Sequence, residues 1–315
     1  MTVASAALAA VCSALAAERV TLVTPNRRLA AWYANQFNQT QIASGRAVWP
    51  TPDILPWETY VERTWQKLSL LSGKPTSPLL LDNHQCRLLW ETVVRNADFA
   101  ASGLLNVRET ARQALAAWTL ARAWHLLPAM RRMALHDDAQ MFLGWSDRFQ
   151  ELCRSRNVID RATVPDALAD LLGDAITSAP GTLQQLPVKL MAAGFDIVEP
   201  QQRRLFDVLR TCGVAVDLLP AAIGVFDSRC CRIEFANETD ELRAAAAWAR
   251  QRLESEPTAN IAIVVPDLKQ KRGQVMRELT DSLVPAARAT ALSTSHPVPR
   301  VPLAVKTSSR PFTRL

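Results

Sequence analysis

The sequence predicts an α/β protein in which parallel sheet units are interrupted by a large all-helical insertion and followed by a disordered C-terminal tail. Three observations predict it. Short β-rich apolar runs alternate with helical periodicity over residues 1–79 and again from residue 184. Between these stretches, 80–183 carries helical periodicity alone. From Pro285 onward there is no periodicity and no acidic residue, and Ser, Thr and Pro are frequent. The expected organisation is 1–79 and 184–227 as two parts of one α/β domain, 80–183 as the helical insertion, 228–284 as the start of a second α/β domain, and 285–315 as the tail.

The elements follow in order. Met1–Ala17 is uncharged and Ala-rich, suiting a short helix that leads into the first strand. A secretory signal would need a basic start, and the first basic residue is Arg19. Val20–Thr24 is a β-rich run broken by Pro25-Asn26, after which Leu29, Ala30, Tyr33 and Phe37 recur at helical spacing with Asn26 placed to cap. A second helix is expected over 56–71, with Trp57, Tyr60, Val61, Thr64, Leu68 and Leu71 on one face, before the loop 73–78. In the insertion, Val107, Ala111, Leu115, Trp118 and Ala121 form one stripe and Phe142, Trp145, Phe149 and Leu152 another. Trp90, Trp118, Trp124 and Trp145 sit at periodic positions that suit core packing better than base stacking. Strands are expected at 188–193, 214–218 and 261–265, with 188–193 pairing with 20–24, and helices at 200–210, 238–254 and 268–283. The fully apolar Ile261–Val265 reads as a buried parallel strand.

Charge says little about partners. The chain carries a net +6, but the body to Val284 holds +1 of it and the tail +5. A basic pI is a fair pointer to a polyanion only where the charge is spread over a folded surface. The six cysteines show no C-x-x-C spacing, and their only close pair, Cys230–Cys231, is adjacent, so free thiols in a reducing cytoplasm are expected. No apolar run reaches the ~20 residues of a membrane span.

Catalytic motifs are missing. The only Gly-Lys pair, Gly73-Lys74, is followed by Pro75, so there is no P-loop to cradle phosphates. His84, His125, His136 and His296 are scattered, without metal-ligand spacing, and His125 reads as structural. No G-x-S-x-G elbow occurs. Pro266-Asp267-Leu268-Lys269 merges the elements of a metal-dependent nuclease into one tetrapeptide, which cannot set two carboxylates around a metal. No catalytic residue, cofactor or metal site is expected in this chain.

The order of segments carries more than any one of them. Leu22-Val-Thr-Pro-Asn-Arg-Arg-Leu-Ala-Ala31 resembles a motif of superfamily-one DNA helicases, a strand that ends in Thr-x-Thr-Asn and enters a helix through basic and Ala residues. Ile54–Tyr60 stands where those helicases carry a Thr-x-His-Ser-Phe segment. Met191–Leu205 looks like the second Walker region, with Gln202 kept, Gly194-Phe195 in place of the acidic pair and Asp196 out of register. Glu234–Leu283 resembles the later stretch with an ATP-contacting Arg, here Pro266. The ordered set over 18–284 resembles the degenerate helicase-like N-terminal region of the AddB (RexB-like) family of DNA-repair proteins, in which a PD-(D/E)XK nuclease domain follows. The resemblance implies a helicase-like, P-loop-type fold without a working ATPase. It also implies a non-motor DNA-binding or scaffold module for single strands or duplex ends, cytoplasmic and working with a helicase or nuclease partner subunit, with the nuclease domain missing from this chain. The residues it offers for DNA are Thr24, Asn26, Arg27 and Arg28, where helix amides and two cations could hold a phosphate. The alternative is a doubly wound α/β enzyme or small-ligand-binding protein with a helical insertion, its pocket near Thr24 and Gly194 at the switch point of the sheet.

Overall fold

The computed structural model describes residues 3–17, 19–71, 77–96, 106–133, 136–219, 232–259 and 261–283. The expected tail at 285–315 and the Cys230–Cys231 pair lie outside the described residues. Two compact units divide the chain after Val225.

The first unit is built on a four-stranded parallel sheet. β1 (Val20–Thr24), β2 (Asp53–Pro56), β5 (Lys189–Ala193) and β6 (Ala215–Leu219) lie in the order β2-β1-β5-β6. The expected pairing of β1 with β5 is present, with Leu22 opposite Met191. β2 was not anticipated as a strand. It has four residues bounded by prolines, and Pro56, which has no N–H to give to a ladder, is tolerated because β2 is an edge strand.

Side chains alternate across this sheet and divide it into two cores. On one face, Val20, Leu22, Met191 and Ala193 pack with α1 (Val3–Leu15) and with Phe37 of α2 (Arg27–Ala43). On the other, Val23, Leu190 and Ala192 meet Trp57 of α3 (Trp57–Leu71), Leu168 of α8 (Val164–Ser178) and Leu205 of α10 (Pro200–Thr211). The helices that follow β1 and β5 thus cover opposite faces, and the strand order reverses between those two strands. Their carboxyl ends form the switch point.

The insertion has its own core. α4 (Asn83–Arg95), α5 (Val107–Ala123) and α7 (Asp137–Ser155), with the short α6 (Leu127–Met130), surround Trp90, Trp118 and Phe149, all fully buried. Trp90 stacks on Phe149 at 4.5 Å between ring centres. Trp145 packs against the same core, as its periodicity predicts, whereas Trp124, just past the end of α5, is 39% exposed. A two-residue parallel pair, β3 (Leu79–Leu80) with β4 (Val158–Ile159), ties the ends of this bundle together. α8, inside the stretch expected to be the insertion, turns Val164, Leu168 and Leu172 into the sheet core instead. The short α9 (Pro180–Leu183) then leads back to β5.

In the second unit, α11 (Glu238–Ser255) and α12 (Leu268–Leu283) pack through Leu242, Ala246, Val275 and Leu279. The strand expected at 261–265 is a correction: these residues pair with no strand among the described residues. Ile263 and Val265 pack on the helices while Val264 is 78% exposed, so the segment is buried on one side only. A run of five apolar residues becomes a buried strand only when neighbouring strands take up its backbone groups, and no described segment does so.

Gly194, directly after β5, has a φ of +78°, and a Cβ placed there would stand 2.2 Å from Leu29 Cδ2. The first turn of α2 therefore sits directly against the end of β5. Gly194→Ala is expected to cost about 2 kcal/mol from overpacking and backbone strain. Adding Leu29→Ala should recover part of that cost, a coupling readable from urea denaturation of the four variants. Strictly additive costs would show that the close approach is absent in solution.

Candidate nucleic-acid interface

The turn between β1 and α2 is made of Pro25 and Asn26 alone. Thr24 is fully buried, and its Oγ1 donates to the Asn26 carbonyl oxygen at 2.9 Å. Asn26 is extended (φ −153°, ψ 161°), and its Oδ1 accepts from Leu29 N at 2.9 Å, the N-cap expected from the sequence. The Ala30 amide reaches the Asn26 carbonyl at 3.2 Å. The amides of Arg27 and Arg28 are then the ones that helix geometry leaves without an intrahelical acceptor. Both arginine side chains are exposed and form no ion pair among the described residues. Thr24 and Asn26 thus shape the turn, and Arg27 and Arg28 face solvent from it.

This placement runs against helix electrostatics. The first turn of α2 carries no acidic residue, and two cations stand at the positive end of the helix dipole. One turn further, four residues beyond Arg28 and so on the same side of the helix, Trp32 is 46% exposed. The sequence reading missed Trp32, although the i, i+4 spacing from Arg28 was there to find it.

The turn at this switch point is not a phosphate-binding loop. A phosphate-binding loop needs several residues of free backbone, and here there are two. Where the resemblance would place a metal-binding acidic pair stand Gly194, filled by Leu29, and Phe195, which packs edge-on against Trp57 and Phe206. Gln202 closes a capping box with Glu199 at the start of α10, its Oε1 accepting from the Glu199 amide at 3.1 Å. Pro266 lies in the turn before α12.

A polar cluster lies across α5, α8 and α10. The Asp166 carboxylate is buried and accepts from Gln201 Nε2 (2.8 Å), Arg122 (2.8 Å) and Arg204 (3.1 Å), with His125 Nε2 at 3.0 Å. Arg122 also stacks over Trp118, and Arg204 pairs with Asp170. Burial alone would raise the Asp166 carboxyl, but the Gln201 hydrogen bond, Arg122, His125 and Arg204 outweigh it and hold it below the ordinary range. The cluster joins the helical bundle to the sheet, with His125 as one of its members.

Among the described residues no group of three His, Cys, Asp or Glu side chains could hold a metal ion, and no helix is long and apolar enough to cross a membrane. No protein-family model matches the chain, and no curated protein matches it.

Proposed function

We propose that this chain is a non-motor DNA-binding module of a helicase-like, DNA-end-processing repair protein, cytoplasmic, that grips strand backbone at the amino terminus of α2. One observation carries the reading: Arg27 and Arg28 stand exposed, without ion-pair partners among the described residues, where the helix dipole disfavours them. A local rule broken without structural compensation is the usual mark of a functional site. A phosphate there would accept from the two open amides and from both guanidinium groups at once. Trp32, one turn along, offers a face for an unstacked base, which favours single strands or frayed ends over intact duplex. Nuclease or motor activity would come from elsewhere, in a partner subunit or a further domain.

The site supports no nucleotide chemistry. ATP should be neither hydrolysed nor bound with micromolar affinity, because the β1–α2 turn has two residues and Phe195 replaces the acidic pair. A saturable micromolar isotherm for ATP in calorimetry would count against this reading. The direct test is fluorescence anisotropy of a labelled single-stranded oligonucleotide with a chain ending at Val284. Binding should weaken linearly in log K against log salt. Absence of binding at roughly 50 mM salt would overturn it.

A further inference from the structure

α2 differs from the other long surface helices in its charge. α4, α5, α7, α10 and α11 each carry an ion pair between residues three or four apart, as solvated helix faces commonly do. α2 has 17 residues and no acidic side chain, and the whole of 19–52 holds four arginines with no Asp, Glu or Lys. It packs on α1, β1 and β2. α1 and β1 are uncharged, and Asp53 of β2 is held by Arg63 in a two-pronged pair (2.6 Å and 2.6 Å). Those three elements therefore offer α2 no free carboxylate among the described residues.

In place of charge pairs α2 presents a stripe. Arg28, Trp32, Asn35, Gln39 and Ile42 recur three or four residues apart, so they share one side of the helix, and each is exposed. Trp32 is braced edge-on by Tyr33, ring centres 4.8 Å apart, and Ile42 is 61% exposed. Asn35 is a weaker helix former than the Glu or Lys that such a position commonly takes, so local stability does not explain it. Just past the far end of α2, Arg46 donates to Gln41 at 3.1 Å, and Arg19 donates to the carbonyls of Gln184 and Leu186, each at 2.6 Å. These acceptors are all neutral. Both arginines line a cleft of about 520 Å³ where the strands begin, and neither has an ion pair among the described residues.

We propose that a single nucleic-acid strand lies along the whole of α2. Its backbone is anchored by Arg27 and Arg28 at one end and by Arg46 and Arg19 at the other, with unstacked bases over Trp32 and Ile42 and base edges within reach of Asn35 and Gln39. This rests on the DNA reading above and extends it from one grip to a site of defined length. The 17 helical residues span about 25 Å at ~1.5 Å each. That is about seven phosphates at the ~3.4 Å spacing along one strand of a duplex, and fewer for a stretched strand. An acidic protein segment would also satisfy the arginines, but it would leave the exposed indole and amides without the ring faces and base edges they suit.

Labelled oligothymidylates of roughly 4 and roughly 12 nucleotides, below and above that span, serve as probes by anisotropy on the full chain, with poly-glutamate as competitor. The tail is common to every variant, so differences between variants report on α2. At ~0.15 M salt the screening length is ~8 Å, which confines each substitution to its own neighbourhood. Gln39→Glu should weaken the longer strand about fivefold and Gln39→Lys should tighten it by a similar factor, both with Tm unchanged. Arg46→Ala should lower the salt slope of the longer strand by roughly 0.7. The shorter strand should respond to Arg27→Ala/Arg28→Ala and stay within about twofold for either change at Gln39. A longer strand indifferent to the charge at position 39 and to Arg46→Ala would overturn the proposal, while the response of the shorter strand to Arg27→Ala/Arg28→Ala left the single grip standing. Binding of neither length would remove both. Competition by poly-glutamate as strong as that of unlabelled oligothymidylate of equal charge would also overturn it, in favour of an acidic protein partner.

Discussion

Asp166→Asn should cost about 3 kcal/mol of stability, the lower end of what breaking a buried ion pair costs. The change keeps the shape and leaves an oxygen for Gln201, but it removes the negative charge that Arg122 and His125 share, the only one they have among the described residues. The Asp166 side chain is 11% exposed and that of Arg122 is 20%, so neither is screened well by water. Arg204 and His125 reach solvent more freely, and Arg204 keeps Asp170, which holds the cost at the lower end. The effect should also be local in origin and wide in reach, since the carboxylate joins α5 of the bundle to α8 and α10 against the sheet. Urea denaturation of the two proteins at pH 7 measures it. A loss below about 1 kcal/mol would place the cluster with ordinary surface ion pairs.

The same cluster sets an acid dependence. The folded-state pKa of Asp166 is depressed, so its contribution is complete above the unfolded value, near 3.9, and is lost as pH falls through the lower folded value. Asp53 is depressed in the same direction: burial raises it, and hydrogen bonds from Arg63 and Thr21 overcome that. Wild-type stability should therefore fall as pH drops below about 4. Asp166→Asn should lose less over that window, because one of the depressed carboxylates is gone. Parallel curves for both proteins would show that Asp166 carries no linkage.

Much of the first unit was legible because local signals and tertiary packing agree there. β1 and β5 are apolar runs bounded by Pro25 and Gly194, and the Asn26 cap and the stripes of α3, α5, α7 and α10 follow helical spacing. What stayed hidden depends on partners distant in sequence. β2 is too short and too proline-bounded to show a period, and exists because β1 offers it a ladder. Ile261–Val265 has a stronger strand signal than β2 and no ladder among the described residues. α8 has an unambiguous apolar stripe, yet nothing in that stripe says whether it faces the bundle or the sheet. The candidate site divides in the same way. The capping turn at Thr24 and Asn26 was readable, and so were the cations at 27 and 28. The position of Trp32 was readable from its i, i+4 spacing to Arg28, but its exposure required coordinates, because exposure is a property of the folded neighbourhood.

Loss of both charges at the start of α2 should weaken single-stranded DNA and flatten its salt dependence. Each phosphate neutralised on a single strand contributes roughly 0.7 to the slope of log K against log salt. Arg27→Ala/Arg28→Ala in a chain ending at Val284 is therefore expected to reduce that slope by about one to one and a half. The five basic side chains beyond Val284 have to be absent, since they would bind any polyanion and mask the difference. Stability separates this outcome from a structural one. The two arginines have no ion pairs among the described residues and oppose the helix dipole, so removing them should leave Tm unchanged or slightly raised. Trp32→Ala supplies a second axis. If a base stacks on its exposed face, affinity should fall by about 1–3 kcal/mol while the salt slope stays constant, because stacking releases no counterions. An unchanged slope in the double arginine variant together with a lowered Tm would mean that these side chains serve the fold, and the DNA reading of the α2 amino terminus would fall with it.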